Sequence, residues 1–287
     1  MNQIKLFIEL TRLEKPIGYM LLFWPCAWGL TLAYDFSSNL KNYFFYLSLF
    51  FLGAVLMRSA GCIVNDILDK EFDKKVFRTK DRPIASGQIS IKKGITYVLV
   101  LCFCALLVLL NFNTITILLA LGSMPLAFTY PLMKRLTYWP QLFLGITFNY
   151  GLLLGWTSVS GKLDIIPVLL YLGAIFWTLG YDTIYGFQDI KDDEIIGLKS
   201  TSIKFKKKPF IFLLTCYVVL FLMLVVLGIL NNFNIFYYVF SLIIGYHLFF
   251  YQLKTIDLNI PMNCLKVFKS NNLLGFLVFL QLLIGKI

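Results

Sequence analysis

The acidic residues of this chain are few and unevenly placed. Only 15 of 287 residues are Asp or Glu, and ten of these fall in two windows, 65–81 and 182–194. The first window holds Asp66, Asp69, Glu71, Asp73 and Asp81; the second holds Asp182, Asp189, Asp192, Asp193 and Glu194. Each window closes a long apolar run. Carboxylates beside a bilayer are costly to place and tend to be functional. A solvated, charge-balanced loop accounts for Glu71, Asp81 and Glu194, but the spacing of the others asks for more. Asn65, Asp69 and Asp73 recur at i, i+4 and i+8, a single stripe if the helix continues past Val64. Asp66 and Glu71 leave that stripe and read as solvated or structural. Asp189 and Asp193 are again four apart, with Asp182 seven residues earlier. Like charges stacked on one stripe repel, so the pattern calls for a divalent cation. Carboxylate and amide oxygens suit a hard ion such as Mg²⁺, which makes Asn65, Asp69, Asp73, Asp189 and Asp193 the expected ligands. Mg²⁺ keeps several waters and commonly bridges one or two carboxylates to substrate phosphates. A diphosphate is therefore expected between the two clusters. Basic residues stand ready for it: Lys74, Lys75, Arg78, Lys80 and Arg82 after the first cluster, and Lys134, Arg135 and Lys199 further on. Some of these are ordinary loop charge.

The elements that must position these groups are membrane helices. The chain is 59% hydrophobic and only 14% charged, against about a quarter charged in a soluble domain. Residues 2–15 read as an amphipathic helix on the membrane surface, ended by Pro16. Uncharged runs then place spans at about 18–34 and 43–64, the second interrupted only by Arg58. The 40 uncharged residues from Gly94 to Met133 make two spans with a turn at 111–114, since one span needs about 20 residues. Further spans are expected at 140–159 and 165–186, and two more in 209–253 with a turn at 231–234. A ninth is expected at 270–285. The fold class is thus all-α: a single domain, 1–287, of nine transmembrane helices behind an N-terminal amphipathic helix. With the N-terminus in the cytoplasm, 22 Lys/Arg fall on cytoplasmic segments and three outside, as the positive-inside rule requires. The net charge of +11 then reflects cytoplasmic loops and gives no reason to invoke nucleic acid. Both acidic clusters face the cytoplasm. One cluster follows the second span and the other the sixth, which suggests pseudo-repeat halves at about 16–133 and 136–253. Such duplication usually places the site between the halves. The six cysteines form no CxxC pair, so neither a disulfide nor a zinc site is expected. No small-residue cleavage site follows the first apolar run and no Arg- and Ser-rich transit segment precedes it, which favours a bacterial plasma (inner) membrane.

The stretch from Arg58 through Asn65, Asp69 and Asp73 to Arg78, Arg82, Pro83 and Gly87 resembles the first signature of the UbiA superfamily of intramembrane prenyltransferases. The stretch from Gly180 through Asp182, Tyr185, Asp189, Asp192 and Asp193 to Lys199 resembles the second. Four stretches are similar to the branch acting on 4-hydroxybenzoate: Lys15–Gly18 with Phe23–Pro25, Tyr130–Gln141, Tyr181–Thr183 and Asn263–Asn272. Ile190–Lys191 departs from the pattern, where relatives often carry further charge, yet Asp189 and Asp193 keep their spacing. The resemblance implies Mg²⁺-dependent transfer of a polyprenyl chain from its diphosphate to the ring carbon ortho to the hydroxyl of 4-hydroxybenzoate, in ubiquinone synthesis. It implies a catalytic set of Asp69, Asp73, Asp182, Asp189, Asp193 and Arg135. Substrate contacts would come from Arg58, Arg78, Lys80, Arg82, Tyr130, Lys134, Arg135 and Lys199.

The residues themselves support such chemistry. Metal and basic groups stabilise a leaving diphosphate, and aromatic faces can stabilise an allyl cation. A lone Arg58 inside a span costs about 2.5–3.5 kcal/mol on insertion scales and is the expected counter-charge for the aromatic carboxylate; snorkelling or pairing with an acid is the bland alternative. Asp182 is expected to act as base or to orient the phenol. His247, the only histidine, reads as a packed interfacial residue. Within the same superfamily the acceptor could instead be haem, a naphthoate or a glyceryl lipid. A transporter would carry its acids near mid-span, and a phosphatidyl-transferring enzyme would need a DGxxAR stretch that is missing.

Overall fold

The structure, a computed structural model, describes residues 3–75 and 79–287. Helices dominate and no strand occurs among the described residues. In order they are α1 (Gln3–Thr11), α2 (Ile17–Ala33), α3 (Leu40–Leu68), the short α4 (Lys70–Asp73), α5 (Ile91–Leu109), α6 (Thr114–Thr129), a 3₁₀ turn (Tyr130–Leu132), the short α7 (Met133–Leu136), α8 (Pro140–Ser160), α9 (Ile165–Gly186), α10 (Ile190–Ile196), the short α11 (Thr201–Lys204), α12 (Pro209–Leu230), α13 (Ile235–Gly245), α14 (Leu253–Thr255) and α15 (Pro261–Lys286). Eight helical segments among the described residues are long and apolar enough to cross a membrane, and α2 is a shorter apolar helix of 17 residues.

The turns follow from residue types that satisfy helix ends. Asn113 caps α6 by accepting from Thr116 N at 3.0 Å, and its amide donates to the Thr157 carbonyl of α8 at 2.7 Å. Asn234 caps α13 through Tyr237 N at 3.1 Å. Asp164 caps α9, while Gly161 ends α8 in the left-handed region at φ 65°. These asparagines sit in the uncharged runs where the sequence places its turns. Observed and expected spans agree closely, and 165–186 is matched end to end.

Two expectations are corrected. The N-terminal helix does not reach residue 15: α1 stops at Thr11, and its Leu6 and Leu10 are buried against Ala60, Ile63, Ile84 and Leu101. The apolar face of an amphipathic helix needs cover, and here protein supplies it. The last apolar helix, α15, starts at Pro261, not near residue 270; Pro at the first helical position is pre-set for helix, and Lys266 and Lys269 ride on its first turns.

The centre of the bundle is α2, packed most extensively on α8. Glycine makes this crossing possible. A Cβ on Gly29 would lie 1.9 Å from the Leu152 carbonyl oxygen, and one on Gly155 2.2 Å from that of Cys26. Trp28 of α2 and Trp177 of α9, both fully buried, pack with ring centres 5.0 Å apart, tilted by 36°. Their indole N–H groups donate to α15: Trp28 to the Gly275 carbonyl at 2.9 Å and Trp177 to Asn271 at 2.7 Å. Residues 246–252 between α13 and α14 form a π-helical stretch. Its wider turn sets His247 beside Gln252 (3.3 Å), and Gln252 joins Asn271 and Tyr217. His247 is therefore buried inside the bundle rather than placed at an interface.

Candidate active site

The first acidic cluster survives a break in its helix. Asp69 leaves helical geometry (φ −94°, ψ 3°), yet its N–H still bonds the Asn65 carbonyl at 2.9 Å and Asp73 N–H bonds the Asp69 carbonyl at 2.8 Å. The i, i+4, i+8 register of Asn65, Asp69 and Asp73 is therefore kept. The second cluster does the same around Asp189, where Asp193 N–H bonds the Asp189 carbonyl at 2.9 Å. Main-chain and amide bonds tie the chain after the second cluster to α7 and α8, and Lys134 of α7 in turn holds Asp69 of the first cluster. Lys199 N–H donates to the Lys134 carbonyl at 2.8 Å, and Thr201 N–H donates to Gln141 Oε1 at 3.0 Å. The result is one polar cavity of about 280 Å³. Asn65, Asp69 and Asp73 line one side, and Asp182, Asp189 and Asp193 line it from α9 and beyond.

The carboxylates of the first cluster are neutralised by the chain's own cations. Lys134 holds Asp69 Oδ2, and Arg135 holds Oδ1 at 3.2 Å. Arg82 donates to Asp73 Oδ2 at 2.8 Å. The repulsion expected along the stripe is thus relieved by cations even before a metal is considered. Glu71 is different: it is exposed, and its hydrogen bond and ion pair with Lys74 at 2.9 Å hold its carboxyl below the ordinary range.

Among the described residues no three acids, cysteines or histidines stand close enough to grip a metal together. The donors on the cavity wall are nonetheless all oxygen, from Asn65 and five aspartates. This fits Mg²⁺, which is seldom caged by protein alone and takes one or two carboxylates plus substrate phosphates. Two walls of oxygen donors facing a shared cavity suit an ion bridged by a diphosphate.

A second cavity of about 370 Å³ adjoins the first. It is apolar, with Leu49, Phe50, Met57, Leu109 and Phe148 in its wall, and Tyr130 lines both cavities. Arg58 is its charged member. The guanidinium lies 5.5 Å from the centre of the Phe148 ring, and its buried Nε has no hydrogen-bond partner.

The UbiA prenyltransferase family model matches residues 22–280 of this sequence. The chain belongs to that family. It is 45% identical over 282 residues to the bovine (Bos taurus) mitochondrial 4-hydroxybenzoate polyprenyltransferase, covering 98% of this chain and 75% of the relative. It is 41% identical over 289 residues to 4-hydroxybenzoate geranyltransferase 2 of Lithospermum erythrorhizon, covering 100% and 92%. A UbiA homologue from Archaeoglobus fulgidus, solved with GPP and Mg²⁺, superposes with a TM-score of 0.72 at 18% identity over 97% of this chain and 99% of that one. An apo UbiA homologue from Aeropyrum pernix gives 0.72 at 22%, over 94% and 99%. The UbiA fold and the eight apolar helices together make this an integral membrane prenyltransferase.

In this UbiA member the expected site residues divide four ways. Asn65, Asp69, Asp73, Arg82, Tyr130, Lys134, Asp182, Asp189, Asp193 and Lys199 share the polar cavity. The Lys199 ammonium also bonds the Leu136 carbonyl at 3.2 Å. Arg58 lines the apolar cavity instead. Arg135 is not on the cavity wall. It stands behind Asp69, donating to the Leu68 carbonyl at 2.7 Å with its guanidinium 4.9 Å from the centre of the Phe72 ring. Lys80 is exposed and away from the lining, and Arg78 falls outside the described residues. Asp66, off the stripe, takes the structural of its two expected roles: it is 2% exposed and binds both Arg12, at 2.6 Å, and Arg82, at 3.2 Å. No local spacing could reveal these partners, since Arg12 lies on another helix end.

Proposed function

We propose that this enzyme transfers a polyprenyl chain from polyprenyl diphosphate to 4-hydroxybenzoate, at the ring carbon ortho to the hydroxyl, releasing diphosphate, as a step of ubiquinone synthesis. The observation that carries the reading is the pair of joined cavities: acids and cations in the polar one, an apolar wall in the other, and Tyr130 common to both. A prenyl diphosphate has that same division into charged head and apolar tail. The 4-hydroxybenzoate acceptor is supported by the names of relatives that align along nearly the whole chain.

Each residue then has a task. Lys134 and Arg82, already on the cavity wall, hold diphosphate oxygens. Mg²⁺, held by Asn65, Asp69 and Asp73 on one wall and by Asp189 and Asp193 on the other, would neutralise the charge of the leaving diphosphate. As the allylic C–O bond breaks, Tyr130 and Phe148 present ring faces near the forming cation. Arg58 binds the carboxylate of the acceptor and so fixes which ring carbon meets the cation. Asp182 takes the ring proton once the new C–C bond has formed. The apolar cavity keeps water from the cation, which water would otherwise trap as an alcohol.

We further propose a nine-span chain whose site faces the side of the membrane that carries most of the loop Lys and Arg, and two pseudo-repeat halves. The 22-to-3 division of Lys/Arg supports the orientation. The test of function is direct: purified protein in lipid with geranyl diphosphate and Mg²⁺ is offered 4-hydroxybenzoate, dihydroxynaphthoate and haem. Prenylated 4-hydroxybenzoate is expected. Prenylation of another acceptor alone refutes the assignment.

A further inference from the structure

The first residue after α1 breaks a local rule. Arg12 adopts φ 56°, in the left-handed region that glycine favours. It sits just past the end of α1, where Arg12 N–H bonds the Glu9 carbonyl and Leu13 N–H bonds the Ile8 carbonyl, both at 3.2 Å. This is the Schellman closure of a helix, whose left-handed position is usually glycine. The same chain closes α10 in the same way with Gly197, at φ 79°. An arginine where glycine would be unstrained indicates that its side chain is needed, because strained residues persist where their surroundings hold them and gather at functional sites.

What the side chain does is visible. Arg12 Nη2 donates to Asp66 Oδ1 at 2.6 Å, and Arg82 Nη1 shares that oxygen at 3.2 Å while reaching Asp73 Oδ2 at 2.8 Å. The order Arg12, Asp66, Arg82, Asp73 therefore runs from the end of α1 to the wall of the polar cavity. Asp66 is buried and carries a charge that two guanidiniums divide. With Arg12 gone, the whole of that charge would act on Arg82 and draw it off Asp73. Both Arg82 and Asp73 line the cavity.

We infer that Arg12 is a positioning residue for the diphosphate end of the site, acting through Asp66 to hold Arg82 between the two aspartates. This rests on the prenyl diphosphate reading of the cavity. It gives α1 a purpose beyond packing: Leu6 and Leu10 anchor the helix, and the anchored helix aims Arg12 at Asp66.

Arg12→Gly is the decisive variant because glycine relieves the backbone while deleting the side chain. The variant is expected to fold as well as the parent. Losing one well-placed charged donor should raise the KM for geranyl diphosphate about tenfold, with the KM for 4-hydroxybenzoate unchanged, since Arg58 lies in the other cavity. Arg12→Lys should restore most of the loss, and Asp66→Asn should reproduce the donor-specific defect. Calorimetric binding of geranyl thiodiphosphate with Mg²⁺ gives the same comparison without any acceptor. If the parent binds the analogue but prenylates no 4-hydroxybenzoate, the acceptor assignment fails and the Arg12 comparison still stands on binding. An Arg12→Gly protein with parental affinity for the analogue, or with both KM values raised alike, overturns the inference.

Discussion

Replacing Arg58 with methionine should separate substrate recognition from stability. In the free protein Arg58 acts on Asp182 through its charge, and two further effects oppose each other. Its buried Nε has no partner, and an unsatisfied buried donor costs about 1–3 kcal/mol. The guanidinium's contact with Phe148 at 5.5 Å returns about 0.5–2 kcal/mol. Methionine fills similar space in a wall that already holds Met57 and Met124. The exchange should leave thermal stability unchanged or somewhat raised. Binding tells the other half. A charged hydrogen bond to the acceptor carboxylate is worth about 1.5–3 kcal/mol, or roughly 10- to 150-fold in affinity at about 1.4 kcal/mol per decade. The KM for 4-hydroxybenzoate should rise by that factor while that for the prenyl donor stays put. Steady-state kinetics with each substrate saturating in turn, together with a melting curve in the same lipid, measures all three quantities. A protein that melts earlier with both KM values shifted alike would refute the reasoning and make Arg58 structural.

Asp69→Ala and Asp189→Ala, from opposite walls of the cavity, should each abolish turnover in folded protein; near-parental rates in excess Mg²⁺ for either would remove it from the proposed metal set. Gly155→Ala puts a Cβ 2.2 Å from the Cys26 carbonyl oxygen and 2.6 Å from Leu30 N, both backbone atoms that cannot swing aside. Overpacking of this kind costs about 1–3 kcal/mol or more, so the yield of monodisperse protein on size exclusion should drop, and a parental yield would contradict the close crossing of α2 and α8. Asn271→Ala leaves the Trp177 N–H unpaired at about 1–3 kcal/mol and takes one of two partners from the Gln252 amide, which keeps His247; the melting temperature should fall with both KM values preserved, and the reverse pattern would place Asn271 at a substrate.

Most of the architecture was legible because the membrane imposes it. Uncharged runs of fixed length can hardly be anything but helices, and asparagine turns divide the two longest of them at Asn113 and Asn234. The acidic stripes were legible because a spacing of four survives even the break at Asp69. Contacts between residues distant in sequence were less so. Nothing near Asp66 announces that Arg12 reaches it from another helix, and nothing near Arg135 shows that it stands behind Asp69 rather than on the cavity wall. The destination of α1 was hidden for the same reason. An amphipathic face looks alike whether lipid or protein covers it, and here Ile63 and Ile84 do the covering. The start of α15 was masked by Lys266 and Lys269, charges that read as loop but ride on a helix.

The indole bonds from α2 to α15 have a bearing on how the protein is made. Trp24 donates to Asn272 and Trp28 to the Gly275 carbonyl, spanning 248 and 247 residues. α2 therefore finds two of its polar partners only on α15, nearly the whole described chain later. Through nearly all of synthesis those indoles must remain unpaired or borrow other acceptors, while α8 arrives midway to cover the glycine face. Loop closure over such distances is entropically costly and slow, so the fastening of α2 to α15 should come late in folding. A chain stalled within α15 would have a central helix not yet fastened.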